Sequence, residues 1–163
     1  MSNLKNLTGR AGEFLCITEF MRATSSQRFL FDAFLLGGNA PTFDYIIYLV
    51  DSHGDRTRPF FFVQVKTTSK KPKPGTGYPV GFSAADVKRA QATKVPFFIC
   101  AVDRSVTDSE KFFIKGVDSE RTKGIIRISP IHDLATDTVK LALYNEVTRV
   151  WANQAVPALA AFI

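Results

Sequence analysis

The sequence predicts an α/β domain, a mixed β-sheet flanked by helices. Two observations carry that prediction. Segments of helical period alternate with short runs rich in aromatic and β-branched residues, in the order helix, strands, helix, strands, helix. The 163 residues are 45% apolar and 22% charged, enough for one domain with a buried core. That composition excludes wholesale disorder, a collagen-like chain and a disulfide-knit miniprotein. No internal repeat and no long linker is visible, so residues 1–163 read as one domain.

Leu4, Leu7, Ala11, Phe14 and Met21 recur at helical spacing and predict a helix from about Leu4 to Ala23. Gly9 and Gly12 weaken it by up to about 1 kcal/mol each against Ala, and they leave room for another backbone to come close. An apolar run, Phe29 to Leu36, ends at the turn Gly37-Gly38-Asn39-Ala40-Pro41. Phe43 to Val50 reads as a strand, Asp51 to Asp55 as a turn and Phe60 to Thr67 as a second strand, together an antiparallel hairpin. Thr68 to Gly77, with its lysines, prolines and glycines, reads as an exposed loop. Ser83 followed by Asp86 has capping-box spacing and opens a helix from Ala84 to about Thr93. Pro96 to Val102 and Glu110 to Val117 read as strands, with a further one at Gly124 to Ser129. Val139 to about Gln154 reads as a C-terminal helix with Leu143, Val147, Val150 and Trp151 on one face.

Lys plus Arg number 21 against 15 Asp plus Glu, a net charge of +6, which favours an anionic partner and nucleic acid first. Cys16 and Cys100 lack any metal-ligand spacing and read as small buried hydrophobes in a reducing cytoplasm. The first residues lack the apolar core of a signal peptide, and no stretch is apolar for long enough to span a membrane. His53 and His132 lie in turn-like contexts and read as surface residues. No Ser/His/Asp order, P-loop or dinucleotide-type glycine pattern appears.

The chemistry concentrates in Phe60-Phe61-Phe62-Val63-Gln64-Val65-Lys66-Thr67. Strand alternation sends Gln64 and Lys66 to one face and Val63 and Val65 to the other. An ammonium on a buried strand is costly unless it is paired or wet. Asp44, a polar residue in the apolar run of the preceding strand, can approach both if the two strands pair. The long turn leaves the register open. Glu13 shares a helical stripe with the apolar Cys16, Ile17 and Phe20, so it looks partly inward and offers a second carboxylate. Carboxylates and an amide oxygen beside a lysine suit a hard divalent cation.

Glu13 in Gly9-Arg10-Ala11-Gly12-Glu13-Phe14, Asp44 in Phe43-Asp44-Tyr45-Ile46-Ile47, and the strand end Gln64-Val65-Lys66 resemble the PD-(D/E)XK, or restriction-endonuclease-like, nuclease superfamily. Phe62-Val63-Gln64-Val65-Lys66-Thr67-Thr68 is similar to its small bacterial and archaeal members, including Holliday-junction-resolvase-like proteins. The resemblance runs from about Gly9 to Val117, with Phe82 to Thr93 and Pro96 to Val102 as the helix and strand that follow the active site. It implies an αβββαβ core over about residues 4–117 and a C-terminal helical extension over about 118–163. Two departures stand out. Phe43, not Pro, precedes Asp44, and Gln64 occupies the usual place of Asp or Glu, which removes a negative charge from the metal site.

The resemblance implies a Mg²⁺-dependent (or Mn²⁺-dependent) deoxyribonuclease of repair, recombination or anti-phage defence. Asp44 is then the central metal ligand and Gln64 a second, assisted by the Val65 carbonyl. Glu13 holds a metal-bound water or a second ion, and Lys66 orients or deprotonates the attacking water. Lys70, Lys71 and Lys73, with Lys88 and Arg89 on the following helix, are the expected DNA-phosphate contacts. The face around Trp151 and the tail Ala155 to Ile163 are the expected surface for a homodimer or a protein partner. The alternative expectation is a catalytically idle protein on the same scaffold that binds nucleic acid or another protein.

Overall fold

In chain order the elements are α1 (Ser2–Phe20), β1 (Phe31–Leu35), β2 (Tyr45–Val50), β3 (Arg56–Thr68), β4 (Tyr78–Phe82), α2 (Ala84–Ala92), β5 (Phe97–Asp103), β6 (Lys111–Gly116), β7 (Ile125–Ile128) and α3 (Asp137–Ala152). The structure, a computed structural model, describes residues 2–36, 42–70, 72, 75–106 and 108–153. The turn expected at residues 37–41 and the tail from residue 154 lie outside them.

Five strands form one mixed sheet in the order β1-β2-β3-β5-β6. β1, β2 and β3 run antiparallel in sequence, β5 lies parallel to β3, and β6 is antiparallel to β5. The hairpin expected between residues 43 and 67 is present, with Tyr45 opposite Val63. Its turn is closed by Asp51, whose Oδ1 accepts from the backbone N–H of His53 and of Asp55. β3 starts four residues earlier than the aromatic run suggested. Pro59 is tolerated there because this end of β3 extends beyond β5, whose pairing begins at Phe62, and because the register against β2 shifts nearby.

Strand alternation divides the core. Phe61, Val63 and Val65 of β3 face α1 and α3, joining Cys16, Phe20, Leu143 and Val147. On the other face, Phe97, Ile99 and Ala101 of β5 pack under α2 and a two-stranded ribbon of β4 and β7. Ser83 and Asp86 form the expected reciprocal capping box at α2. β4 was not among the expected strands, and Pro79 and Gly81 are residues that disfavour a strand interior. Both are exposed, while Tyr78, Val80 and Phe82 are buried. β7 shows why residues after 118 belong with the rest: it completes that ribbon.

α1 differs most from expectation. Leu7, Phe14 and Met21, which set its period, are 61%, 59% and 44% exposed. Gly12, Cys16, Glu19 and Phe20 face inward instead. The small glycine face wins because it lets the helix axis approach the sheet. α3 is tied to the end of α1 by Lys140, only 1% exposed. Its Nζ donates to the carbonyls of Glu19 (2.8 Å) and Arg22 (3.1 Å) and pairs with Glu19 Oε1 at 2.9 Å. Trp151 is half-buried against the core. Its indole N–H donates to Phe60 O at 2.8 Å and its ring packs on Phe60, while Leu143, Val147 and Val150 are buried in the core. Among the described residues, no helix is long and apolar enough to cross a membrane.

Candidate active site

The C-terminal half of β3 sits between α1 and the start of β2. A Cβ built on Gly12 falls 1.9 Å from Thr67 Oγ1, so only glycine permits this approach. The Thr67 hydroxyl donates to Gly9 O at 3.5 Å, fixing the same contact. Both helix glycines therefore bear on one strand residue. The next helix residue, Glu13, is half-buried beside the neighbour of Thr67, Lys66.

Asp44 stands one residue before β2. Its N–H donates to Val63 O and its carbonyl accepts from Leu36 N–H, both at 2.9 Å, so the backbone still joins both ladders. Its side chain then interrupts the pairing. Oδ2 accepts the Val65 N–H at 2.6 Å, taking the place a carbonyl of the neighbouring strand would fill. The sheet opens where the carboxylate sits, and that opening separates a polar site from a continuous apolar strand.

Gln64 and Lys66 share the face of β3 opposite Val63 and Val65. Gln64 is 9% exposed and its Oε1 is buried with no hydrogen-bond donor. A buried amide oxygen without a donor costs about 1–3 kcal/mol, which makes Gln64 Oε1 a candidate acceptor for a ligand. Burial, then the Asp44 carboxylate, push the Glu13 carboxyl above its ordinary range, against the Arg10 and Lys66 cations. Burial likewise raises Asp44, against the Val65 N–H and the Lys66 ammonium. The Tyr45 hydroxyl is pushed up by burial and by the charge of Glu13 beside it. Thus Glu13, Asp44 and Lys66 lie within one another's fields, with Tyr45 beneath.

The donors are two carboxylates and an amide oxygen, a hard set of low charge that suits Mg²⁺ or Mn²⁺. Among the described residues, no group of three or more His, Cys, Asp or Glu is placed to hold a metal ion by itself. Cys16 and Cys100 are both fully buried, and burial, then a hydrogen bond with Cys100, raises the Cys16 thiol. They are core side chains, as expected.

The basic residues divide. Lys70 is exposed just beyond β3, and Lys88 is exposed on α2. Arg89 is exposed on α2, and its guanidinium is engaged by Asp86 and by Thr42 Oγ1, the latter at 2.7 Å. That bond braces the segment leading into Asp44. Lys71 and Lys73 lie outside the described residues. His53 is exposed and His132 half-buried. Arg10 and Tyr45 were not among the expected site residues. Arg10 was readable as the residue three before Glu13, whereas Tyr45 reads as any core aromatic. No protein-family model, curated protein or solved structure matches this chain.

Proposed function

We propose that this protein is a metal-dependent deoxyribonuclease of the PD-(D/E)XK type. The observation that carries the reading is the buried, donor-less Gln64 Oε1 next to Lys66, where burial raises the Asp44 carboxyl and burial together with Asp44 raises that of Glu13. Support also comes from the topology: a helix, three antiparallel strands, then a helix leading to a strand parallel to the third. The unusual Phe43 and Gln64 leave that geometry in place.

Asp44, Gln64 Oε1 and the Val65 carbonyl would hold Mg²⁺ or Mn²⁺, with Glu13 holding a metal-bound water. The ion, when bound, supplies Lewis-acid polarisation of a phosphodiester and neutralises charge on it. The protein's own groups do the rest. The Val65 N–H fixes the Asp44 carboxylate by occupying one oxygen and leaving the other to ligate. Glu13 accepts from the attacking water and orients it. Lys66, on the same strand face, stabilises charge on the phosphate as an ammonium, or in its neutral amine form takes the proton of that water. Packing of Gly12 on Thr67 holds Glu13 and Lys66 in fixed relation.

One observation favours a second reading, an idle scaffold that binds DNA: Gln64 is neutral where a carboxylate would strengthen ion binding. Cleavage of supercoiled, linear and branched DNA separates the two. The nuclease reading expects nicking or cutting with Mg²⁺ or Mn²⁺ and none in EDTA. Asp44→Asn and Lys66→Ala each lower the rate by on the order of 100-fold or more. Wild-type protein that cuts nothing, or cutting that survives either substitution, overturns it.

A further inference from the structure

A cleft of about 780 Å³ opens beside the candidate active site, between the β4–β7 ribbon and the ends of β5 and β6. Its volume is in the range of small-ligand sites. Asp103 lies in it, and β5 pairs Lys66 with Ala101 and Thr68 with Asp103. Ile99 and Ala101 belong to the core under α2, so Asp103 continues the sheet face of Gln64 and Lys66. It stands one strand across and two residues, roughly 7 Å, further along. The cleft therefore continues the site along one sheet face.

Its chemistry is mixed. Asp103 is 7% exposed, and its Oδ1 accepts the Ser105 N–H at 2.8 Å. The Tyr78 hydroxyl also bonds to it. The carboxylate is thus fixed and presents only acceptors. Lys111, directly opposite Asp103 on β6, is exposed and makes no ion pair among the described residues. Arg127 gives Nη1 to Gly77 O (3.1 Å) and Thr76 O (3.4 Å), which sets the guanidinium plane and leaves its other donors. Two cations beside one buried acceptor match a nucleotide, its phosphate on Lys111 and Arg127 and a base amino group on Asp103. A base in such a cleft must leave the duplex stack, which costs least where it is already unpaired.

We propose that this cleft seats an unpaired nucleotide adjoining the scissile phosphate, making DNA with single-stranded ends or branches the favoured substrate. The inference rests on the nuclease reading for the word scissile, but its test does not. Fluorescent blunt duplex and the same duplex carrying a short single-stranded arm are titrated in EDTA. The armed DNA binds about tenfold tighter, the yield of roughly one charge-assisted contact. Lys111→Ala with Arg127→Ala brings the two affinities together, as does Asp103→Asn in part. Lys123→Ala, on another exposed loop, leaves both affinities unchanged, and circular dichroism reports whether each variant is folded. Equal wild-type affinities, no binding to either DNA, or a preference that survives the double substitution overturns the proposal. A protein that prefers the armed DNA in EDTA yet cuts nothing with Mg²⁺ or Mn²⁺ keeps the cleft and loses the nuclease. One that cuts but shows no preference loses the cleft alone.

Discussion

Asp44 joins structure and the proposed chemistry in one side chain: one oxygen completes the backbone ladder at Val65, and under the nuclease reading the other is a metal ligand. Its partner carboxylate is Glu13, and both are raised by burial, Glu13 also by Asp44 itself. The stability consequence follows from linkage. A carboxyl whose native pKa exceeds its unfolded one binds its proton more tightly when folded. Its contribution is fully present below the unfolded pKa and is lost as pH rises through the native one. At neutral pH both groups therefore oppose folding unless a cation neutralises them. Glu13→Gln and Asp44→Asn are expected to raise the metal-free Tm at about pH 7 and to leave it near wild type at about pH 3.5. Thermal melts at the two pH values check this, and a fall in Tm at neutral pH for both variants would contradict it.

At the scale of elements, the site depends on how closely α1 lies on β3. Gly12→Ala places a methyl on the Thr67 hydroxyl, whose present position leaves only 1.9 Å. The helix must lift or Thr67 must turn. Overpacking of this kind costs about 1–3 kcal/mol, and urea denaturation should show that loss. Activity should fall with it, since Glu13 moves with the helix. Pairing with Thr67→Ser or Thr67→Ala should restore part of both. The far end of α1 has a different fastening, the buried Lys140–Glu19 pair. Lys140→Met leaves a carboxylate that is 2% exposed with the largely exposed Arg22, at 3.2 Å, as its remaining ion-pair partner, and breaking a buried pair costs up to about 3–5 kcal/mol. Glu19→Gln added to Lys140→Met should recover much of it, as equilibrium unfolding of the two variants would reveal.

At the scale of the whole molecule, three distant stretches meet at one end of a sheet. Much of this was legible. Strand alternation placed Gln64 and Lys66 together, the Asp51–Asp55 turn forced the hairpin, and Gly9 and Gly12 announced a close helix contact. What was not legible depended on tertiary structure. The apolar period of α1 pointed to Leu7, Phe14 and Met21, but contact area with β3 was decided by the absence of side chains at Gly12. Pro79 and Gly81 hid β4, because a ribbon that pairs on one side tolerates residues a central strand would reject. The bond from the Trp151 indole N–H to Phe60 O joins residues 91 apart in sequence and had no local signal. Asp103, Lys111 and Arg127 come together only through the β5–β6 register and the ribbon, which no local pattern encodes.

Under the proposed function Glu13, Asp44 and Gln64 jointly hold a divalent cation, and calorimetric titration of the metal-free protein with Mn²⁺ is the check. Saturable binding is expected, lost in Asp44→Asn, weakened in Glu13→Gln and strengthened about tenfold or more in Gln64→Glu, where a carboxylate replaces the amide. Absence of saturable heat with wild-type protein, or binding indifferent to all three substitutions, would contradict it.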